Sequence, residues 1–242
     1  MRESDVMIEM GNPVHATVLT VHIAAGGVGL AAGFGALALR KGGKLHRAAG
    51  KVFVPAMLVM LVLGGVLFTM AGSPFSWLGV SFGVYLTVSA WLAARYRDGV
   101  GRYGLALVVA GGTIAAASLI LGLLSMSNPE GPLGRASFAL PLIFAFLACL
   151  GAGHDWQAFR RGGVSGAPRV RRHVWRVCAA LFIASGSFFL GQQDEFPRAI
   201  QGPFWIVPAL APLVLLGFWM WRHRDRKRRG AKPPAGAVPE AA

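Results

Sequence analysis

The sequence predicts an all-α membrane protein, a bundle of seven transmembrane helices with the N-terminus outside and the C-terminus inside. Three observations predict it. The 242-residue chain is 55% hydrophobic and only 14% charged, with a mean hydropathy of +0.55, whereas soluble domains carry roughly 25% charged residues. Seven apolar segments are each long enough to cross a hydrocarbon core of about 30 Å, which takes roughly 20 residues at a rise of about 1.5 Å each. Lysine and arginine then crowd into alternate loops, which fixes an orientation.

The segments fall near 14–39, 49–71, 75–95, 103–126, 133–154, 174–192 and 204–221, inside a membrane domain of residues 14–221. Turn formers and charges separate them: Lys41-Gly42-Gly43, Gly72-Ser73-Pro74, Asp98-Gly99, Asn128 to Pro132, Arg161-Gly162-Gly163 and Gly202-Pro203. Residues 1–13 form a short outer segment that lacks a basic n-region, so no signal cleavage is expected. Residues 222–242 form a cytoplasmic tail that starts polybasic and ends as a disordered Pro/Ala chain.

In the first segment, His22, Gly26, Gly29 and Gly33 lie within about 40° of His15 at 100° per residue, so the two imidazoles share a face with the glycines. That face should meet protein, because small residues let helices approach closely and an imidazole finds no partner in lipid. His15 and His22 are about 10 Å apart along one helix, too far to ligate one haem. His22 is read as a hydrogen-bonded packing residue, with a proton relay, a quinone contact or ligation as alternatives. In the sixth segment Cys178, Ser185 and Gln192 repeat every seven residues as a narrow polar stripe. The two cysteines, Cys149 and Cys178, make no CxxC pattern and suggest neither a disulfide framework nor covalent haem.

Orientation follows from counting. Lysine and arginine number five in 40–51, three in 95–102, six in 160–176 and seven from Arg222 onward, or 21 of the chain's 24. The other side holds only Arg2, Arg135 and Arg198. Trp77 and Trp205 near outer ends, and Trp91, Trp156, Trp175, Trp219 and Trp221 near inner ends, fit the headgroup preference of tryptophan. The net charge of +14 is thus distributed between apolar segments, which argues against nucleic acid as a partner and for the bilayer, with anionic headgroups meeting the basic loops and tail. The first and third inner loops echo one another, Arg40-Lys41-Gly42-Gly43 before His46-Arg47 and Arg160-Arg161-Gly162-Gly163 before Arg172-His173. An internal repeat or the common needs of cytoplasmic hairpins would each produce that echo.

Three histidines, His46, His154 and His173, come from the inner ends of the second, fifth and sixth segments, and Asp155 adjoins His154. Three imidazoles and a carboxylate would suit a divalent metal, and two imidazoles from different helices could hold haem b. The alternative is that each ring meets lipid phosphate, a helix end or a neighbouring arginine. No fixed spacing such as HExxH selects between these readings.

Residues 22 to 53, with His22, Lys41-Gly42, His46-Arg47, Gly50 and Phe53, resemble a bacterial family of predicted multi-pass membrane proteins of unknown function. His173, Trp175 and Arg176 are similar to a second part of that pattern, except that the family's methionine after the tryptophan is Arg176 here. The resemblance implies a multi-pass protein of the bacterial inner membrane and brings no activity with it.

Absences narrow the function. No GxxxxGKS/T loop is present, which removes a nucleotide-driven pump within this chain. No Asp, Glu, Lys or Arg lies at the predicted centre of a segment, so a buried-carboxylate coupling site is not expected. The role is left between a haem- or metal-binding redox protein and a small-molecule carrier or accessory subunit.

Overall fold

A long apolar run can satisfy its backbone without water only by forming helix, and the computed structural model, which describes residues 13–72, 76–96, 103–128 and 138–229, is helical throughout its long elements. The seven long helices are α1 (Pro13–Ala38), α2 (Lys44–Met70), α3 (Ser76–Arg95), α4 (Tyr103–Ser127), α5 (Ala139–Arg160), α6 (Gly166–Phe189) and α7 (Ile206–Arg229). Three single-turn 3₁₀ helices, Gln193–Glu195, Arg198–Ile200 and Pro203–Trp205, link α6 to α7. Residues 1–12 and most of the predicted tail lie outside the described residues.

Six of these helices are long and apolar enough to cross a membrane, not seven. The exception is α6. It opens at Gly166, eight residues before the predicted start, and thereby adds Arg169, Arg171 and Arg172 to a helix that already held Arg176. At the other boundaries α2 likewise starts earlier than predicted, at Lys44, and α7 runs on to Arg229, into the stretch read as tail. Hydropathy finds where a helix is apolar; it does not find where the hydrogen-bonded ladder stops.

The helices pair as α1 with α2, α4 with α5 and α6 with α7, while α3 packs on α6 and borders α2 and α4. The centre is α3: 56% of its apolar stretch is buried, against at most 28% in the other five apolar helices. One core cluster joins Phe82, Tyr85 and Leu86 of α3 to Ile114, Ala148, Ala179 and Ala180. A second joins Leu30, Phe53 and Met57 to Leu181 and Ala184 of α6. The glycine face of α1 is inside, as its spacing predicts. A Cβ added at Gly33 would stand 2.7 Å from Leu181 and 3.1 Å from Phe53, so only glycine lets α1 sit this close to α2 and α6.

The outer faces are apolar. Ile23, Val28, Val109, Ile120, Leu124, Phe146, Val207 and Val214 are all exposed, a surface that suits a multi-pass membrane protein and not one bathed in water. The turns at 39–43 and 161–165, together with the end of α3 at Arg95, form one basic end of the bundle. Four helices, α1, α3, α5 and α7, finish there, and at α1 and α3 a cation answers the negative end of the dipole. Lys41 Nζ donates to Ala36 O at 3.0 Å and also to Leu37 O, while Arg169 donates to Ala93 O and Ala94 O, each at 3.1 Å.

Candidate functional site

Ionised groups come together inside the bundle, where α3, α5 and α6 meet. Arg172 and Arg176 are four residues apart and share one face of α6. Asp155 stands on α5, one turn after Gly151. Its carboxylate is fully buried and accepts through Oδ1 from Arg172, and from Arg176 at 2.9 Å. Its Oδ2 accepts from the Tyr85 hydroxyl at 2.6 Å. Arg176, also fully buried, donates to Gly151 O at 3.0 Å, and its guanidinium lies 5.3 Å from the Trp175 ring centre and 5.7 Å from that of Tyr85.

Two glycines make the tyrosine contact sterically available. A Cβ at Gly151 would stand 2.6 Å from the Tyr85 hydroxyl, and one at Gly111 would stand 2.9 Å from it. The phenol therefore passes through a notch between α4 and α5 to reach the carboxylate.

No charge is expected at the centre of a segment, and hence no buried carboxylate; Asp155 is nevertheless fully buried. Asp155 is five residues inside the end of α5 and Arg176 ten residues inside α6. Both helices extend past the apolar windows that defined the predicted segments. Arg172 and Arg176 were counted as loop charge, although their four-residue spacing places them on one helical face. Tyr85 had no distinguishing signal in the sequence.

The predicted ligand set separates. His154 and Asp155 are adjacent, hence about 100° apart around α5, and they face different ways. His154 is exposed, with its ring edge-on to Trp175 at 6.1 Å. Asp155 is held by the two guanidinium groups and the Tyr85 hydroxyl. Among the described residues no group of three or more His, Cys, Asp or Glu gathers that could hold a metal. His46 on α2 and His173 on α6 both stand at the basic end of the bundle. Each fixes Nδ1 on a carbonyl of a neighbouring helix at 3.0 Å, His46 on Ala36 O and His173 on Ala90 O.

Of the remaining polar positions, His22 and Ser185 make contacts between helices. His22 is half-buried, with Nδ1 2.8 Å from Met60 O and the ring against Gly64. His15 is half-buried one heptad earlier. Ser185 is buried and donates across to Ala209 O of α7 at 3.1 Å, joining the two helices. Gln192 lies past the end of α6 and is exposed, so the inward stripe holds Cys178 and Ser185 only.

At the basic end, a cleft of about 470 Å³ between α1 and α7 is lined by Arg40, Lys41, Trp219 and Arg222. Lys41 lies 5.3 Å and Arg222 5.9 Å from the Trp219 ring centre. Burial holds the Lys41 ammonium below the ordinary lysine pKa.

No family model matches the chain, and no match was found among curated proteins or among solved structures.

Proposed function

We propose that the chain is a seven-span protein of the bacterial inner membrane, N-terminus outside and C-terminus inside, that binds and carries a small polar solute at the cluster of Tyr85, Asp155, Arg172 and Arg176. One observation carries this reading: a fully buried carboxylate held by two buried guanidinium groups in an otherwise apolar bundle. Ionisable groups inside a membrane bundle are expensive, and where they persist they commonly mark a solute or proton pathway.

Two features support α6 as the seventh span. Its 24 residues reach about 36 Å at about 1.5 Å each. Its two deepest arginines are neutralised in part by Asp155, and the stretch from Val177 to Phe189 has no charge. The charge split of the loops supports the orientation. The cleft at Arg40, Lys41 and Arg222 suits anionic lipid headgroups as the partner at the basic end. The residues resembling the bacterial multi-pass family, His22, His46 and Phe53 among them, occupy helix contacts, which fits membership in a family of this architecture.

A carrier must open its site to water on at least one side. In a variant with Cys149 and Cys178 replaced by serine, Ala180→Cys, one turn beyond Arg176, should react with a small water-soluble methanethiosulfonate added from the C-terminal side. If it stays unmodified from both sides while Lys44→Cys reacts, the cluster is a sealed structural staple and the carrier reading fails.

A second reading rests on the placement of His46 and His173 at one end of the bundle. With Nδ1 of each ring held by a carbonyl, Nε2 is the nitrogen left for ligation. Two imidazoles suffice as axial ligands of haem b, whereas tetrahedral zinc needs further donors, and Asp155 is not free to be one.

A further inference from the structure

Charge does not balance inside the cluster. Two guanidinium groups stay protonated in any protein setting, and a single carboxylate opposes them, so one positive charge is left in the core. Tyr85 is a neutral donor and does not offset it. Asp155 is the sole carboxylate that pairs with either guanidinium group among the described residues; Asp194 and Glu195 follow α6 at the far end, and Asp225 belongs to the last turns of α7.

Hydrogen bonding is unbalanced in the same sense. Arg172 Nε, Arg176 Nε, Arg176 Nη1 and Trp175 Nε1 are buried without a hydrogen-bond partner among the described residues. All four are donors. Asp155 already accepts three hydrogen bonds and Gly151 O accepts from Arg176, so the acceptors in contact with the guanidinium groups are in use; the hydroxyls of Thr87 and Ser118 are likewise buried without a partner among the described residues. A buried donor left unpaired, like a net charge left in a low-dielectric interior, calls for an acceptor that the protein does not itself supply. The donors are close together, since both arginines meet at Asp155 Oδ1 and the Arg176 guanidinium lies 5.3 Å from the Trp175 ring centre.

We propose that the solute bound here is a small monovalent anion, a halide or a short carboxylate, held by Arg172, Arg176 and Trp175, with Asp155 and Tyr85 positioning the guanidinium groups. The inference rests on the reading of this cluster as the solute site and names the class of solute. A single negative charge neutralises the core. A dianion would reverse its charge, and a bulky anion would not fit beside a phenol already pressed against Gly111 and Gly151. Guanidinium and indole N–H groups together suit an anion that sheds water readily, because Arg is itself weakly hydrated.

The test is thermal unfolding of the full chain in mild detergent, in sodium gluconate into which chloride, nitrate, acetate or phosphate is exchanged at constant ionic strength. The expected result is a saturable rise in the unfolding midpoint with chloride, nitrate or acetate, the order among them telling halide from carboxylate, and none with phosphate dianion. Trp175→Phe, which removes one buried donor and no charge, should move half-saturation to several-fold higher anion. Coincident midpoints in all four salts would mean that water serves these donors and would overturn the proposal, as would a saturable response that Trp175→Phe leaves unchanged. Should the midpoints coincide while Ala180→Cys still reacts, the carrier reading stands and the anion is dropped; should Ala180→Cys also be inert, both fall.

Discussion

Tyr85 and Asp155 lie seventy residues apart in the chain and meet at 2.6 Å, through a notch that two glycines on two other turns of helix leave open. The contact ties the central helix α3 to α5, and through Asp155 to both arginines of α6. Three positions on two helices thus depend on one carboxylate of a third.

Gly151→Ala should therefore act on the cluster and not only on local packing. The new methyl group would need space 2.6 Å from the Tyr85 oxygen, and overpacking of this kind costs about 1–3 kcal/mol. Tyr85→Phe removes a hydrogen bond to a charged group, worth about 1.5–3 kcal/mol. Because both changes attack one contact, the double variant should lose less than the sum in a denaturation midpoint series. Strict additivity would show that Gly151 serves some other neighbour.

Removing the carboxylate is expected to be worse. Asp155→Ala leaves two buried guanidinium groups facing one another, and breaking a buried ion pair typically costs about 3–5 kcal/mol. Replacing Asp155, Arg172 and Arg176 together by leucine or methionine should restore much of that loss in stability. If the triple variant is no more stable than Asp155→Ala, the charges are not what the single variant exposes.

Glycines on α1 differ in role although the sequence writes them alike. Gly33→Ala collides with Leu181 and Phe53, whereas a Cβ at Gly27 meets nothing within 4 Å. Gly33→Ala should lower the unfolding midpoint, and Gly27→Ala should raise it or leave it, since alanine in a helix is favoured over glycine by roughly 1 kcal/mol. Equal effects would count against close packing of α1 on α2 and α6.

The architecture was legible because lipid-facing helices write long apolar runs, and the face of α1 was legible because His22, Gly29 and Gly33 repeat at helical spacing. The candidate site was not. Arg172 looks like any loop arginine until the helix is known to start at Gly166, so its pairing with Arg176 on one face is hidden, and Asp155 looks like a partner for His154 because the two are adjacent. Adjacency in a helix means separation around its axis. A tyrosine reaching between two other helices leaves no pattern along the chain at all.

Topology has a direct check. A cysteine at position 5 should be labelled from outside intact cells and one at position 232 only after the inner face is opened, given the 21 to 3 division of basic residues. Labelling of both from one side would require an even number of crossings, and α6, with its four arginines, would then be the helix that does not cross.

Haem or metal ligation by the inner histidines can be settled on the same preparation. His46 and His173 hold Ala36 O and Ala90 O through Nδ1, which orients both rings and leaves Nε2 as the ligating nitrogen. Against a cation stand Arg47, Arg171, Arg172 and Arg176, which surround this level of the bundle with positive charge, and the commitment of Asp155 to two of them. His154, exposed on the other side of α5, brings no third ring to the pair. The expected outcome, with protein expressed under ample haem and metal and purified in mild detergent, is no Soret band and no stoichiometric metal. His46→Ala and His173→Ala should then each lower stability by about 0.5–1.5 kcal/mol, as for one lost hydrogen bond to a carbonyl. A Soret band that disappears in either variant would reverse the order of the two readings: the paired imidazoles would be the functional centre, and the buried arginines would lie close enough to neutralise haem propionates.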